Sequence, residues 1–161
     1  VSDWIERLLA VLAAEHALYE RLCDALRAER AALTALDVPQ IEACVREKEE
    51  ISDEARLLEE SRLALTEALA QLLGLAERQP KLARLCERLG DADPRLREAH
   101  LRLGARLSLA RELLEANRAV SASELANVQA SLRALGATQV GAGYGARADV
   151  LDTGRIVRQT A

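Results

Sequence analysis

The sequence predicts an all-α protein: an elongated antiparallel bundle of three long helices over residues 1–137, followed by a flexible, Gly-containing tail over 138–161. Three observations predict it. Ala, Leu, Glu, Lys and Arg make up roughly 60% of the chain, beyond the ~50% that already marks long helices. Leucines recur at three- and four-residue spacing through three separate stretches, the period of an amphipathic helix. Two short breaks, Asp37-Val38-Pro39 and Gly90-Asp91-Ala92-Asp93-Pro94, carry the residue types that stop one helix and start the next. Only 2% of residues are aromatic and Phe is absent, so the core is expected to consist of Leu, Ala, Val and Ile and to be narrow and coiled-coil-like.

The first helix opens at Ser2 or Asp3, either of which can cap it; with Asp3 at the cap, Glu6 falls where it can reach back to the cap amide. Ile5, Leu8, Leu12, Tyr19, Leu22, Leu26, Leu33 and Leu36 form its apolar seam, and Glu15 and Glu29 occupy the same seam. Leu9, Val11, Leu18 and Cys23 widen the stripe, so this helix is expected to touch two neighbours. Pro39 fixes φ and is tolerated only in a first turn, which marks a tight reversal into an antiparallel second helix. The second seam uses Ile41, Val45, Ile51, Ala55, Leu58, Leu65, Leu69 and Leu72. Lys48 and Arg62 stand in it where apolar side chains belong, and looser or wetter packing is expected there. Gln79-Pro80 is expected to end or kink this helix, and Lys81 to Leu89 reads as a short helical piece.

Asp93 as cap and Pro94 at the first helical position begin the third long helix. Its stripe contains Leu96, Leu103, Leu107, Leu114, Val128, Leu132 and Leu135, interrupted midway by Asn117 and Ser121, with Gly136 as a stop. Beyond it Gly141, Gly143, Gly145 and Gly154 fall among Ala, Thr, Arg and Asp, with only Val150-Leu151 and Ile156-Val157 as short apolar pairs, and the tail is expected to be disordered alone.

Composition and motifs narrow the function. No run approaches the ~18 apolar residues of a membrane span, and no secretory signal pattern opens the chain. Three widely spaced cysteines, Cys23, Cys44 and Cys86, do not make a disulfide framework, which suits a reducing, cytoplasmic setting. A net charge of −4, with basic residues interleaved among Glu, argues against a nucleic-acid partner. His16 and His100 belong to no Glu-x-x-His pair of the di-iron type, the cysteines lack zinc spacing, and no nucleophile elbow or phosphate loop is present. The expectation is a non-enzymatic protein without cofactor or metal, acting by binding another protein's helix, with self-association through the same stripes as the alternative.

Four features have two readings each. The run Arg46-Glu47-Lys48-Glu49-Glu50 is either a solvated helix face or a surface for a basic partner. Trp4 either anchors a partner or packs at the open end of the bundle. Asn117 on an apolar stripe either fixes helix register or meets a ligand helix. Tyr144 either docks a partner or packs back on the last helix.

The residues also resemble a known family. Leu8-Leu9 with Glu15, Tyr19 and Leu22; Ala32-Leu33 followed by Asp37; Ile41, Lys48-Glu49 and Ile51; Glu59-Glu60-Ser61-Arg62; Leu113-Leu114 with Asn117, Leu125 and Leu132; and Tyr144-Gly145 together resemble the FlgN family of flagellar export chaperones. The chain departs from that pattern at Val120, where a second Asn is common, and at Ala148, where a Gly is common. The resemblance implies a cytoplasmic protein that binds the C-terminal helical region of hook-filament junction proteins of the FlgK and FlgL type and delivers them to the type III export gate. It further implies that Asn117, Leu125, Val128, Leu132 and Leu135 hold the substrate and that Tyr144 engages the gate protein.

Overall fold

The computed structural model describes residues 1–75, 81–89 and 93–134, and every element in them is a helix: α1 (Ser2–Ala35), α2 (Val38–Leu72), α3 (Leu82–Leu89) and α4 (Pro94–Ala134). Three of the four are long, as expected; α3, the short piece beginning after Lys81, is a helix in its own right and brings the total to four. Gln79-Pro80, Leu135, Gly136 and the whole 138–161 tail lie outside the described residues.

α1 is the central element. It packs along α2 on one side and along α4 on the other, while the backbones of α2 and α4 stay apart. This is the arrangement its widened stripe requires: Leu8, Leu12, Leu18, Leu22, Cys23 and Leu26 are all buried. α2 runs antiparallel to α1, since Arg62 meets Glu15 and Lys48 meets Glu29. α4 runs parallel to α1, since Arg95 meets Glu6, Arg106 meets Glu20 and Asn117 meets Leu26. The direction therefore alternates along the chain, up through α1, down through α2 and up again through α4. α3 closes one end of the core with Leu82, Leu85, Cys86 and Leu89, all buried.

Local chemistry explains the helix ends. α1 starts one residue earlier than a Ser2 cap would place it and two earlier than an Asp3 cap; its cap is Val1, with no side-chain cap hydrogen bond, and Asp3 instead pairs with Arg7 at i,i+4. Trp4 is half-buried against the core with the Arg7 guanidinium 5.6 Å from its ring centre, so it packs at the bundle end. At the α1–α2 turn Asp37 caps α2 by accepting from the Gln40 amide at 3.2 Å, and Pro39 sits in the first turn, where no intrahelical N–H is required. Asp93 likewise accepts from the Arg95 amide at 3.1 Å as Pro94 opens α4.

Both α1 and α2 end in the same motif. The Leu36 and Asp37 amides donate back to Leu33 and Ala32, and the Gly74 and Leu75 amides donate back to Gln71 and Ala70. The left-handed position is Gly74 in one (φ 67°) and Leu36 in the other (φ 55°). For Gly this conformation is free of steric penalty, whereas for Leu it costs about 1–2 kcal/mol.

Lys48 and Arg62 correct the expectation of loose packing. Both are buried and both are paired with the acidic residues of the facing seam: Arg62 Nε donates to Glu15 Oε1 at 3.0 Å, and Lys48 Nζ lies 2.5 Å from Glu29 Oε1. The rest of the charge run is solvent-exposed, with Glu47 reaching Arg21 across the helix pair at 3.6 Å.

Candidate functional site

The helix pairings fix how far α4 extends. Asn117 stands beside Glu29 of α1, its Nδ2 donating to Glu29 Oε2 at 2.9 Å and to the Leu26 carbonyl at 2.7 Å. Leu36 lies seven residues after Glu29, and Glu124 seven after Asn117, so in these parallel helices the α1–α2 turn is level with Glu124. α4 nevertheless continues to Ala134. Its last turns, about 15 Å at 1.5 Å per residue, project past the end of the hairpin.

The apolar stripe does not stop where its cover stops. Leu96, Leu103 and Leu107 are buried in the core and Leu114 packs against it. Leu125, Val128 and Leu132 continue the same helix face at helical spacing, but Leu125 is 52% and Val128 45% exposed, and Leu132 is half-buried. Burial of a large aliphatic side chain contributes roughly 1.5–3 kcal/mol. A stripe left open over two turns thus holds back several kcal/mol for another apolar surface.

Of the residues singled out from the sequence, the structure brings Leu125, Val128 and Leu132 together on this projecting end. Asn117 is set apart from them: it is 3% exposed and its amide protons are engaged by α1, the geometry of a register-fixing residue. Its Oδ1 is buried with no hydrogen-bond partner among the described residues. Leu135 and Tyr144 lie outside the described residues.

Two buried polar layers, whose members the pattern along any one helix does not pair, tie the helices below this end. In the upper one, the Glu29 carboxylate of α1 receives Lys48 from α2 on one oxygen and Asn117 from α4 on the other, so a single side chain joins all three long helices. In the lower one, Glu15 pairs with Arg62, which also reaches Glu59 at 3.4 Å, and Thr66 closes the layer by donating to the Arg62 carbonyl at 2.7 Å. Burial pushes the Glu15 carboxyl above its ordinary value despite the pull of Arg62, and Glu15 Oε2 has no hydrogen-bond partner among the described residues. Burial, with Glu15 and Glu59 nearby, pushes the Tyr19 phenol up to about 12. Burial and then the Arg62 charge hold His100 below the usual imidazole value. The signal for these pairs lies in the sequence: both are symmetric about Val38–Pro39, the point at which the chain reverses.

The three cysteines are buried thiols, Cys23 and Cys86 held above their ordinary pKa by burial. Among the described residues no three His, Cys, Asp or Glu side chains gather as metal ligands, and no helix is long and apolar enough to cross a membrane. What the arrangement offers is a body of three packed long helices presenting an open apolar helix face, a surface on which the apolar face of another helix can pack.

No curated protein and no solved structure gives a match to this chain. The family model described as FlgN protein matches residues 4–150, a span that takes in α2, α3 and α4 whole and all but the first two residues of α1. The resemblance carried by the short motifs is thereby established over nearly the whole sequence, and the chain belongs to the FlgN family of flagellar export chaperones.

Proposed function

We propose that this protein is a cytoplasmic chaperone for hook-filament junction proteins of the FlgK and FlgL type, binding their C-terminal helical region and delivering them to the type III export gate. One observation carries the reading: the α4 stripe runs on past its cover, leaving Leu125 and Val128 open on the projecting end of the helix. Leu125, Val128, Leu132 and Leu135 form the client seat, and Asn117 sets the angle at which α4 presents it. A client helix laid on this face buries the leucines that the fold itself leaves in water, and the junction proteins need such cover until they assemble outside the cell. The task needs binding and release alone.

Calorimetric titration with C-terminal segments of the junction proteins tests the proposal. Saturable binding near one to one, with a negative heat-capacity change from apolar burial, is expected. Absence of binding to any of these segments, together with a stable homodimer by light scattering, would replace the chaperone reading with self-association through the same stripe.

Tyr144 is the proposed contact with the export gate. Tyr144→Ala is expected to leave the circular-dichroism spectrum and client affinity unchanged while export of junction proteins falls several-fold. Loss of client binding in that variant would move Tyr144 into the client site.

A further inference from the structure

We infer that the α1–α2 turn is a second half of the client seat, with Leu36 as an apolar contact placed there at the expense of backbone strain. The inference rests on the proposed function and extends it to a residue that the family motifs do not include.

The chain ends two of its long helices in the same hydrogen-bonded motif, and only one of them uses the residue that the motif favours. Gly74 takes the left-handed position after α2, whereas Leu36 takes it after α1. A Leu in this conformation is disfavoured and is normally kept only where its side chain does something that Gly cannot. Within the fold it does little: Leu36 is 58% exposed, and the hydrophobic cluster is built without it. Two residues on, Val38 is 60% exposed as well. The turn therefore presents two large apolar side chains to solvent, one of them on a strained backbone.

Their position supplies the reason. The pairing of Asn117 with Glu29 sets the turn level with Glu124, immediately before Leu125. Packed helices lie roughly 8–10 Å apart, axis to axis. Leu36 and Val38 on the turn and Leu125 and Val128 on α4 thus stand within about the width of one helix of each other. A client helix lying on the projecting end of α4 meets the turn with its adjacent face. The seat becomes a corner with two walls, which orients an amphipathic client helix about its own axis as well as holding it. The occupant is the same apolar client face that α4 receives, since the only charged side chain between Leu36 and Val38 is Asp37, whose carboxylate is turned to the Gln40 amide.

Leu36→Gly separates this role from a structural one, because Gly suits the left-handed backbone and removes only the exposed side chain. With a junction-protein C-terminal segment as the titrant, the variant is expected to bind ~tenfold or more weakly, the scale of one lost aliphatic contact. Its thermal midpoint should stay the same or rise. Leu36→Asn, whose side chain also tolerates this conformation, should weaken binding likewise. Leu125→Ala serves as the reference for the α4 wall. If Leu125→Ala weakens binding while both Leu36 variants bind within about twofold of the parent, this inference falls and the proposed function stands. If the parent chain binds no segment, both fall. A lowered midpoint accompanying weaker binding in Leu36→Gly would assign Leu36 to the fold and overturn the inference as well.

Discussion

Arg62→Ala is expected to lower the free energy of unfolding by about 3–5 kcal/mol, the usual result of removing one partner from a buried ion pair. Arg62 and Glu15 are 8% and 4% exposed, and the Arg62 guanidinium donates directly to the Glu15 carboxylate. Without it, Glu15 is left buried without its cation, with Tyr19 and Glu59 as neighbours. Urea titration followed by circular dichroism measures the effect. The pH dependence has a definite sign. Burial already holds the Glu15 carboxyl above its ordinary pKa, and Arg62 pulls against that rise. A carboxyl whose folded pKa exceeds its unfolded value favours the fold below the unfolded pKa, and that contribution is lost as pH rises through the folded pKa. Removing Arg62 raises the folded pKa further, so the variant's deficit should be largest near neutral pH and narrow as pH falls toward and below the ordinary carboxylate range. Replacing Glu15 and Arg62 together by Leu and Met should recover most of the lost stability, because the buried Glu15 charge is then gone and only the partly exposed Glu59 loses a partner. A deficit under about 1 kcal/mol, independent of pH, would mean that the pair is solvated and carries no such burden.

Glu29→Ala is expected to cost about 3 kcal/mol or more, for a different reason: one change strands two partners on two helices. Lys48 of α2 loses its carboxylate, and Asn117 of α4 keeps only the Leu26 carbonyl. Glu29→Gln should cost less, since an amide can still accept from Asn117 or Lys48. Native-state hydrogen exchange gives the more specific readout. Amides of α4 from about Leu107 onward should lose protection in Glu29→Ala beyond the amount set by global stability, because α4 is held chiefly by α1 and receives little backbone support from α2. Uniform loss across all helices would instead mark Glu29 as an ordinary core residue. Client affinity should fall with α4 protection if Asn117 sets the angle of the seat.

Most helix boundaries were legible in the sequence because their causes are local. Asp37 with Pro39 and Asp93 with Pro94 act through local hydrogen bonds and ring geometry; the structure shows the Asp93 cap as expected and adds Asp37 as the cap of α2. The missing side-chain cap on α1 is a competition between nearby groups, in which Asp3 pairs with Arg7 instead. The two-sided packing of α1 was also legible, since a stripe too wide for one neighbour demands two.

The seam charges are hidden from a one-helix view for a physical reason. Taken along α2 alone, Lys48 and Arg62 look like defects; only when the hairpin is folded about Val38–Pro39 do they meet Glu29 and Glu15. The site shows the same divide. Periodicity placed Val128 and Leu132 on one face and the family resemblance added Leu125, but neither gives a reason why Leu125 and Val128 remain open. That depends on the register between α1 and α4, fixed through Asn117. The exposure of Leu36 was equally hidden, because an apolar residue closing a seam reads as core until its backbone conformation and surroundings are known.

By itself, then, the sequence determined the features that near neighbours along the chain set between them: helical class, helix ends, the apolar faces and the family motifs. The tertiary structure decided which charges are neutralised, where α4 outruns its cover, and which apolar side chains are left for a partner. Helix period and capping are settled within a few residues, whereas burial, ion pairing and exposure depend on which residues distant in sequence become level when the helices pack.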